Sequence, residues 1–100
     1  MRIDAHHHIW TVARGDYGWL EQAPDCIRRD FGLADLAPFL ARYGIAATIL
    51  VQAAPTVAET QFLLATARQS GLVAGVVGWA DLLAEDAEAT IDRLADDPLL

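Results

Sequence analysis

Apolar residues in this chain gather into short dense runs, separated by stretches with a helical period. Ile45 to Gln52 reads Ile-Ala-Ala-Thr-Ile-Leu-Val-Gln, with no polar alternation before Gln52. Leu72 to Trp79 repeats that character around Val73, Val76 and Val77. Such runs fit parallel strands covered on both faces. Ile3 to His8 forms a shorter, β-favouring opening. Leu33 to Tyr43 is predicted to be a helix: Leu36, Phe39, Leu40 and Tyr43 follow the i, i+3, i+4, i+7 pattern, with Asp35 and Arg42 opposite. Gly44 supplies a left-handed stop, and Pro38 is tolerable only in the first turn. Thr56-Val57-Ala58-Glu59 matches a capping box, Thr56 bonding forward and Glu59 bonding back, and opens a helix to Gln69 that Gly71 ends. A last helix runs from Asp86 to Asp96, with Ala87, Ile91, Leu94 and Ala95 on one face, and Asp97-Pro98 closes it.

Strand, helix, strand, helix, strand, helix is the order of an α/β protein with right-handed crossovers and a parallel sheet. A doubly wound fold would place a Gly-rich phosphate loop after the first strand. That position holds His6 and His8 instead, and no GxGxxG occurs. A (β/α)8 TIM barrel sets its functional residues at the C-terminal ends of its strands, where His8, Gln52, Trp79 and Asp81 fall. The barrel is the better match. Since barrels run to about 250 residues, residues 1–100 supply the first three β/α units, the N-terminal part of a single longer domain. The third strand would otherwise leave an apolar edge bare, and Leu99-Leu100 opens another apolar run.

Charge and composition narrow the function classes. A net charge of −7 argues against nucleic acid and anionic membranes as partners. No apolar run approaches the roughly 18 residues of a membrane span, and no basic segment precedes an apolar one as in a signal peptide. Cys26 is the single cysteine, which leaves no internal disulfide and no CxxC motif and fits a reducing cytoplasm. Asp81, Glu85, Asp86, Glu88, Asp92, Asp96 and Asp97 face only Arg93 and read as a solvated helix face, not a cation site.

Candidate chemistry is concentrated in Asp4-Ala5-His6-His7-His8. Strand alternation puts Asp4, His6 and His8 on one side and Ile3, Ala5 and His7 on the other. Two imidazoles two residues apart on one face can chelate one metal ion, although two ligands do not complete a zinc site. A functionless exposed His tract is the competing reading of the spacing. The connection from Ile9 to Gly32 carries Trp10, Tyr17 and Trp19 among Gly15, Gly18, Pro24 and Gly32. Long structureless loops are usually functional. Its rings either wall a pocket or pin the loop to the body.

Asp4-Ala5-His6-His7-His8-Ile9-Trp10 resembles the opening of the amidohydrolase-related lactonases, a branch of the amidohydrolase superfamily. Asp16-Tyr17-Gly18-Trp19-Leu20, Val51-Gln52-Ala53-Ala54-Pro55, Glu59-Thr60-Gln61-Phe62-Leu63-Leu64 and Val77-Gly78-Trp79-Ala80-Asp81-Leu82 are similar to the same branch, in order, along essentially the whole chain. The resemblance implies a barrel hydrolase that opens lactones, often those of sugar acids such as fuconate or rhamnonate. It implies a divalent metal, zinc in some members and dispensable in others, with His6 and His8 as two of its ligands. The remaining ligands and the acidic general base would lie beyond Leu100. On this reading Gln52, Trp79 and Trp19 touch a small-molecule lactone, with structural alternatives: Gln52 bonding a neighbouring loop, Trp79 filling the barrel mouth. Asp4 anchors the first strand, His7 faces outward and Asp81 caps its loop. A homo-oligomer is compatible with all of this. Two other functions are open: decarboxylation of an aromatic acid by the same histidine pair, and a binding protein on a decayed barrel.

Overall fold

Three parallel strands, β1 (Ile3–His7), β2 (Ala47–Val51) and β3 (Val73–Val77), form one sheet in that order in a computed structural model that describes residues 1–100. Helices α1 (Leu33–Tyr43), α2 (Val57–Ser70) and α3 (Ala87–Ala95) follow the strands in turn. The strands are shorter than the apolar runs, because Ile45, Gln52 and Trp79 already belong to the connections. No helix is long and apolar enough to cross a membrane.

One face of the sheet is sealed. Leu50 and Val76 pack with Leu63, Leu64 and Ala67 of α2, together with Ile9 and Val73. Ile49, Val51 and Val77 lie on the other face and none is buried; Val77 is 52% exposed. The apolar runs therefore predict two covered faces where these residues cover one, and the open face corresponds to the inside of a barrel.

Helix α1 begins and ends as its period indicates, with Gly44 at φ 62° as the left-handed cap. Two expectations for it need correction. Pro38 lies beyond the first turn, where its ring removes a bond to the Ala34 carbonyl. The residue is exposed, so water can satisfy that carbonyl. The apolar stripe is also only partly used: Leu40 is buried, whereas Phe39 and Tyr43 are 57% and 54% exposed. In α3, Thr90 and Leu94 are buried but Ile91 is 40% exposed. The acidic face is not wholly solvated either, for Asp97 pairs with Arg68 of α2 and its Oδ1 accepts the Leu99 N–H.

Asp35 caps α1 by accepting the Gly32 N–H (2.9 Å), with Arg29 beside it at 3.3 Å. The Gly32 bond, then the Arg29 bond, hold its carboxyl below the ordinary carboxylate range. A depressed folded value contributes stability that is present above 3.8 and lost as pH falls through the folded value. Melting curves of the parent and Asp35→Asn are expected to differ at neutral pH and converge below pH 3.8.

The connection from Ile9 to Gly32 is not structureless. Val12–Arg14, Gly18–Gln22 and Asp25–Ile27 each form a 3-10 turn, and paired backbone bonds between Trp10 and Phe31 (2.9 and 3.0 Å) tie its ends together. Tyr17 and Leu20 bury against Ala54 to make a second small core, with Trp10, Ala23 and Ile27 around it. Short-range turns and one aromatic cluster replace the missing long elements.

Candidate active site

The C-terminal edge of the sheet gathers most of the residues that carry chemistry. Between the pairs Asp4↔Thr48 and His7↔Leu50, β1 advances three residues while β2 advances two. One extra residue is thus absorbed as a bulge, a device that re-aims side chains beside functional sites. Strict alternation fails there: Asp4 and His7 come to the same side, that of Thr48 and Leu50, so Asp4 does not share a face with His6 and His8. Asp4 Oδ1 accepts the His6 N–H (3.1 Å) across the bulge.

His6 and His8 turn toward one another, with Nε2 to Nε2 at 3.1 Å and ring planes 79° apart. His8 Nδ1 lies 2.9 Å from the Val51 carbonyl oxygen. A carbonyl only accepts, so Nδ1 carries the proton and Nε2 of His8 presents a lone pair. In the 3.1 Å contact His6 Nε2 is then the donor. A metal at zinc–nitrogen distances of about 2.0–2.1 Å with tetrahedral angles separates two such nitrogens by roughly 3.3 Å. The pair is close to that spacing. The bond from the far nitrogen of His8 to a backbone carbonyl is also the support that orients metal-bound imidazoles. The two residues fit half of a divalent-metal site, and no third His, Cys, Asp or Glu among these 100 residues joins them.

His7 points elsewhere. Its Nε2 pairs with the fully buried Thr48 hydroxyl (2.9 Å), and its Nδ1 is buried without a partner. Burial holds its pKa below the ordinary value and keeps the ring neutral.

Gln52 follows β2 directly and donates its N–H to the Val77 carbonyl (2.9 Å), while its side-chain amide takes no partner within the chain. Trp79 is held by Thr60, fully buried on α2, whose hydroxyl accepts the Trp79 N–H (2.6 Å) and donates to the Trp79 carbonyl (2.7 Å). A Cβ on Gly78 would come within 2.5 Å of the Thr60 methyl, so the backbone reaches α2 only because this residue is glycine. Thr60→Val keeps the shape and leaves the Trp79 N–H and carbonyl unpaired; it is expected to cost about 1–3 kcal/mol in denaturant melts. Trp19 donates its indole N–H to the Ala53 carbonyl (2.8 Å), packs edge-on to Trp10 at 5.3 Å, and stays 43% exposed. Asp81 caps its own loop through the Leu83 N–H (3.0 Å). The structure therefore brings His6, His8, Gln52, Trp19 and Trp79 to one edge.

A concavity of about 520 Å³ opens beside His8, bounded by His7, Arg29, Phe31, Asp35 and Phe39. A larger one of about 730 Å³ lies beyond β3, between Trp79, Leu83, Ile91 and Leu100. It is mostly apolar, and neither histidine of the pair lines it.

Glu59 is the residue that sequence reading misassigns. As a capping box it would bond back to the Thr56 N–H; only the forward half exists, with Thr56 Oγ1 accepting the Glu59 N–H (3.0 Å). The Thr56 N–H goes to the Ala54 carbonyl instead. Its carboxylate is fully buried and accepts Arg14 Nη1 (2.8 Å), the Tyr17 hydroxyl (2.7 Å) and the Ala53 N–H (2.8 Å). Burial, then the bond to Glu59, push the Tyr17 phenol far above its ordinary range, so it remains a donor. The only sequence signal is three polar residues, Arg14, Asp16 and Tyr17, close together in an otherwise aromatic loop.

Comparison with known proteins agrees with this geometry. The model of the Amidohydrolase family matches residues 3–100. An L-fucono-1,5-lactonase of Burkholderia ambifaria is 50% identical over 98 residues, which is 98% of this chain and 34% of that enzyme. An L-fucono-1,5-lactonase of Burkholderia multivorans is 38% identical over 84 residues, 84% of this chain and 28% of that protein. The chain thus spans about a third of the length of the curated relatives it matches. A crystal structure of a Burkholderia multivorans amidohydrolase with bound HEPES superposes with a TM-score of 0.84 at 34% identity, covering 93% of this chain and 32% of that one. A zinc-bound crystal structure of an amidohydrolase from the same organism gives 0.83 at 35% identity, with 92% and 32% covered. The fold is that of the N-terminal β/α units of a TIM barrel, and the chain belongs to the Amidohydrolase family.

Proposed function

We propose that residues 1–100 form the N-terminal part of a single barrel domain whose full-length protein hydrolyses sugar-acid lactones. The observation that carries this is the convergence of His6 and His8 Nε2 at 3.1 Å, at the C-terminal edge of a sheet in a chain half identical to a fuconolactonase.

His6 and His8 would hold a divalent cation, zinc being the one found in a related structure. When bound, such a cation polarises the lactone carbonyl and acidifies water. The chain's own residues bind and orient. Gln52, its amide unpaired within the chain, bonds sugar hydroxyls, which offsets the cost of closing a polar group into a pocket. Trp79 and Trp19 set ring faces against the C–H face of the sugar. Where no metal is used, the Nε2–H of His6 donates to the oxygen that gains negative charge as water adds to the carbonyl carbon. The acyl C–O bond of the ring then breaks, and the ring oxygen leaves as the hydroxyl of the product acid. A carboxylate from a later strand would take the proton from water and return it to the leaving ring oxygen.

The test is ring opening by the full-length protein on fucono-, rhamnono- and unsubstituted lactones, followed by base uptake. Sugar-acid lactones are expected to react with kcat/KM above about 10⁴ M⁻¹s⁻¹, an ordinary enzymatic value. No turnover above background on any lactone would sink the proposal, and carbon dioxide release from aromatic acids would replace it with decarboxylation.

A further inference from the structure

Glu59 is buried completely, and its carboxylate is taken up by donors of the chain itself. Its three donors come from two regions. Arg14 and Tyr17 belong to the connection after β1, and the Ala53 N–H lies one residue past Gln52. Ala53 is held on its other side too, since its carbonyl accepts the Trp19 indole N–H at 2.8 Å. Asp16 adds a second latch, accepting Arg14 Nη2 (3.1 Å) and the hydroxyl of Thr56 (2.6 Å), the N-cap of α2. The Arg14 guanidinium also rests 4.4 Å from the centre of the Phe62 ring on α2.

A buried ion pair adds little stability over well-packed apolar residues of the same volume. What it does supply is a single geometry, because planar carboxylate and guanidinium groups satisfy one another in few arrangements. Here that geometry links the aromatic loop to the residue that follows Gln52. We infer that Glu59 is a positioning residue which, through Ala53 and Arg14, fixes Trp19 and Gln52 at the C-terminal edge of the sheet, where they select polyhydroxylated lactones over simple ones. The inference rests on the lactonase reading.

Glu59→Gln in the full-length protein turns one acceptor oxygen into a donor, so either Ala53 or the Arg14–Tyr17 pair meets an N–H in place of an acceptor. KM for L-fucono-1,5-lactone is expected to rise about tenfold with kcat changed less than about threefold, the signature of lost uniform binding. Kinetics on unsubstituted δ-valerolactone are expected to stay within about twofold. Trp19→Phe cuts the same link from the loop side, so the double variant is expected to be no worse than the stronger single one. Equal losses on both lactones, or fully additive effects, would overturn the inference.

Trypsin supplies a readout independent of activity. Cleavage after Arg14 under native conditions is expected to accelerate about tenfold in Glu59→Gln, since the loop opens more often once its anchor is weakened. An unchanged cleavage rate would overturn the clamp even if the wild type opens no lactone, so the two readings fail separately. If Glu59→Gln does not fold, Tyr17→Phe removes one donor alone. It is expected to raise KM for the sugar lactone about threefold, and an unchanged KM would overturn the inference.

Discussion

Full-length protein carrying His6→Ala and His8→Ala together is expected to lose at least about a thousandfold in kcat/KM on sugar-acid lactones, or roughly 4 kcal/mol of transition-state stabilisation. Any divalent metal that the parent protein holds is expected to be lost with it, measured by elemental analysis after gel filtration. The two imidazoles converge on one point, with His8 held in one tautomer by the Val51 carbonyl. Removing either leaves a site with one fewer ligand and a free partner that swings away, so each single variant should approach the loss of the double. The paired measurement discriminates. Rate and metal lost together mean a metal centre. Rate lost from a protein that never held metal means that His6, oriented by His8, donates a hydrogen bond to an oxyanion. A double variant that keeps both rate and metal would remove these histidines from the chemistry.

That histidine pair was legible because its geometry is local. Residues at i and i+2 in an extended segment share a side wherever no bulge falls between them, which holds for His6 and His8 but not for Asp4 and His6. The bounds of helix α1 were legible for a similar reason: its apolar period and the Gly44 stop lie within one stretch. The misreadings depend on partners distant in sequence. The bulge that moves Asp4 to the side of His7 exists only relative to the register of β2, more than forty residues later. Phe39 and Tyr43 carry the right period, but whether a period is buried depends on what packs against it. Glu59 satisfied a complete local pattern, a capping box, and still went elsewhere, because Arg14, Tyr17 and the Ala53 N–H offer its carboxylate more than the single Thr56 N–H does. Local patterns lose where a buried charge can collect several donors.

The same competition sets the largest stability effect in the chain. Glu59→Ala is expected to destabilise the full-length protein by about 3–5 kcal/mol, the usual cost of breaking a buried pair by removing one partner. The arithmetic lies in what remains. Arg14 keeps its charge with its side chain 20% exposed, Asp16 is its one remaining carboxylate while the Tyr17 hydroxyl still accepts from Nη1, and the Tyr17 O–H and Ala53 N–H lose their acceptor. In a protein of barrel size this corresponds to a fall in Tm on the order of 10 °C, readable by calorimetry. Replacing the pair together, with Glu59→Leu and Arg14→Met, removes both charges and refills the space, so the double variant should be more stable than Glu59→Ala. A Glu59→Ala variant that loses less than about 1 kcal/mol would show that water reaches the carboxylate site and that the network behaves as a surface pair. Recovery of stability without recovery of KM in the double variant would separate the two things the carboxylate does: holding the loop down, and holding it in one place.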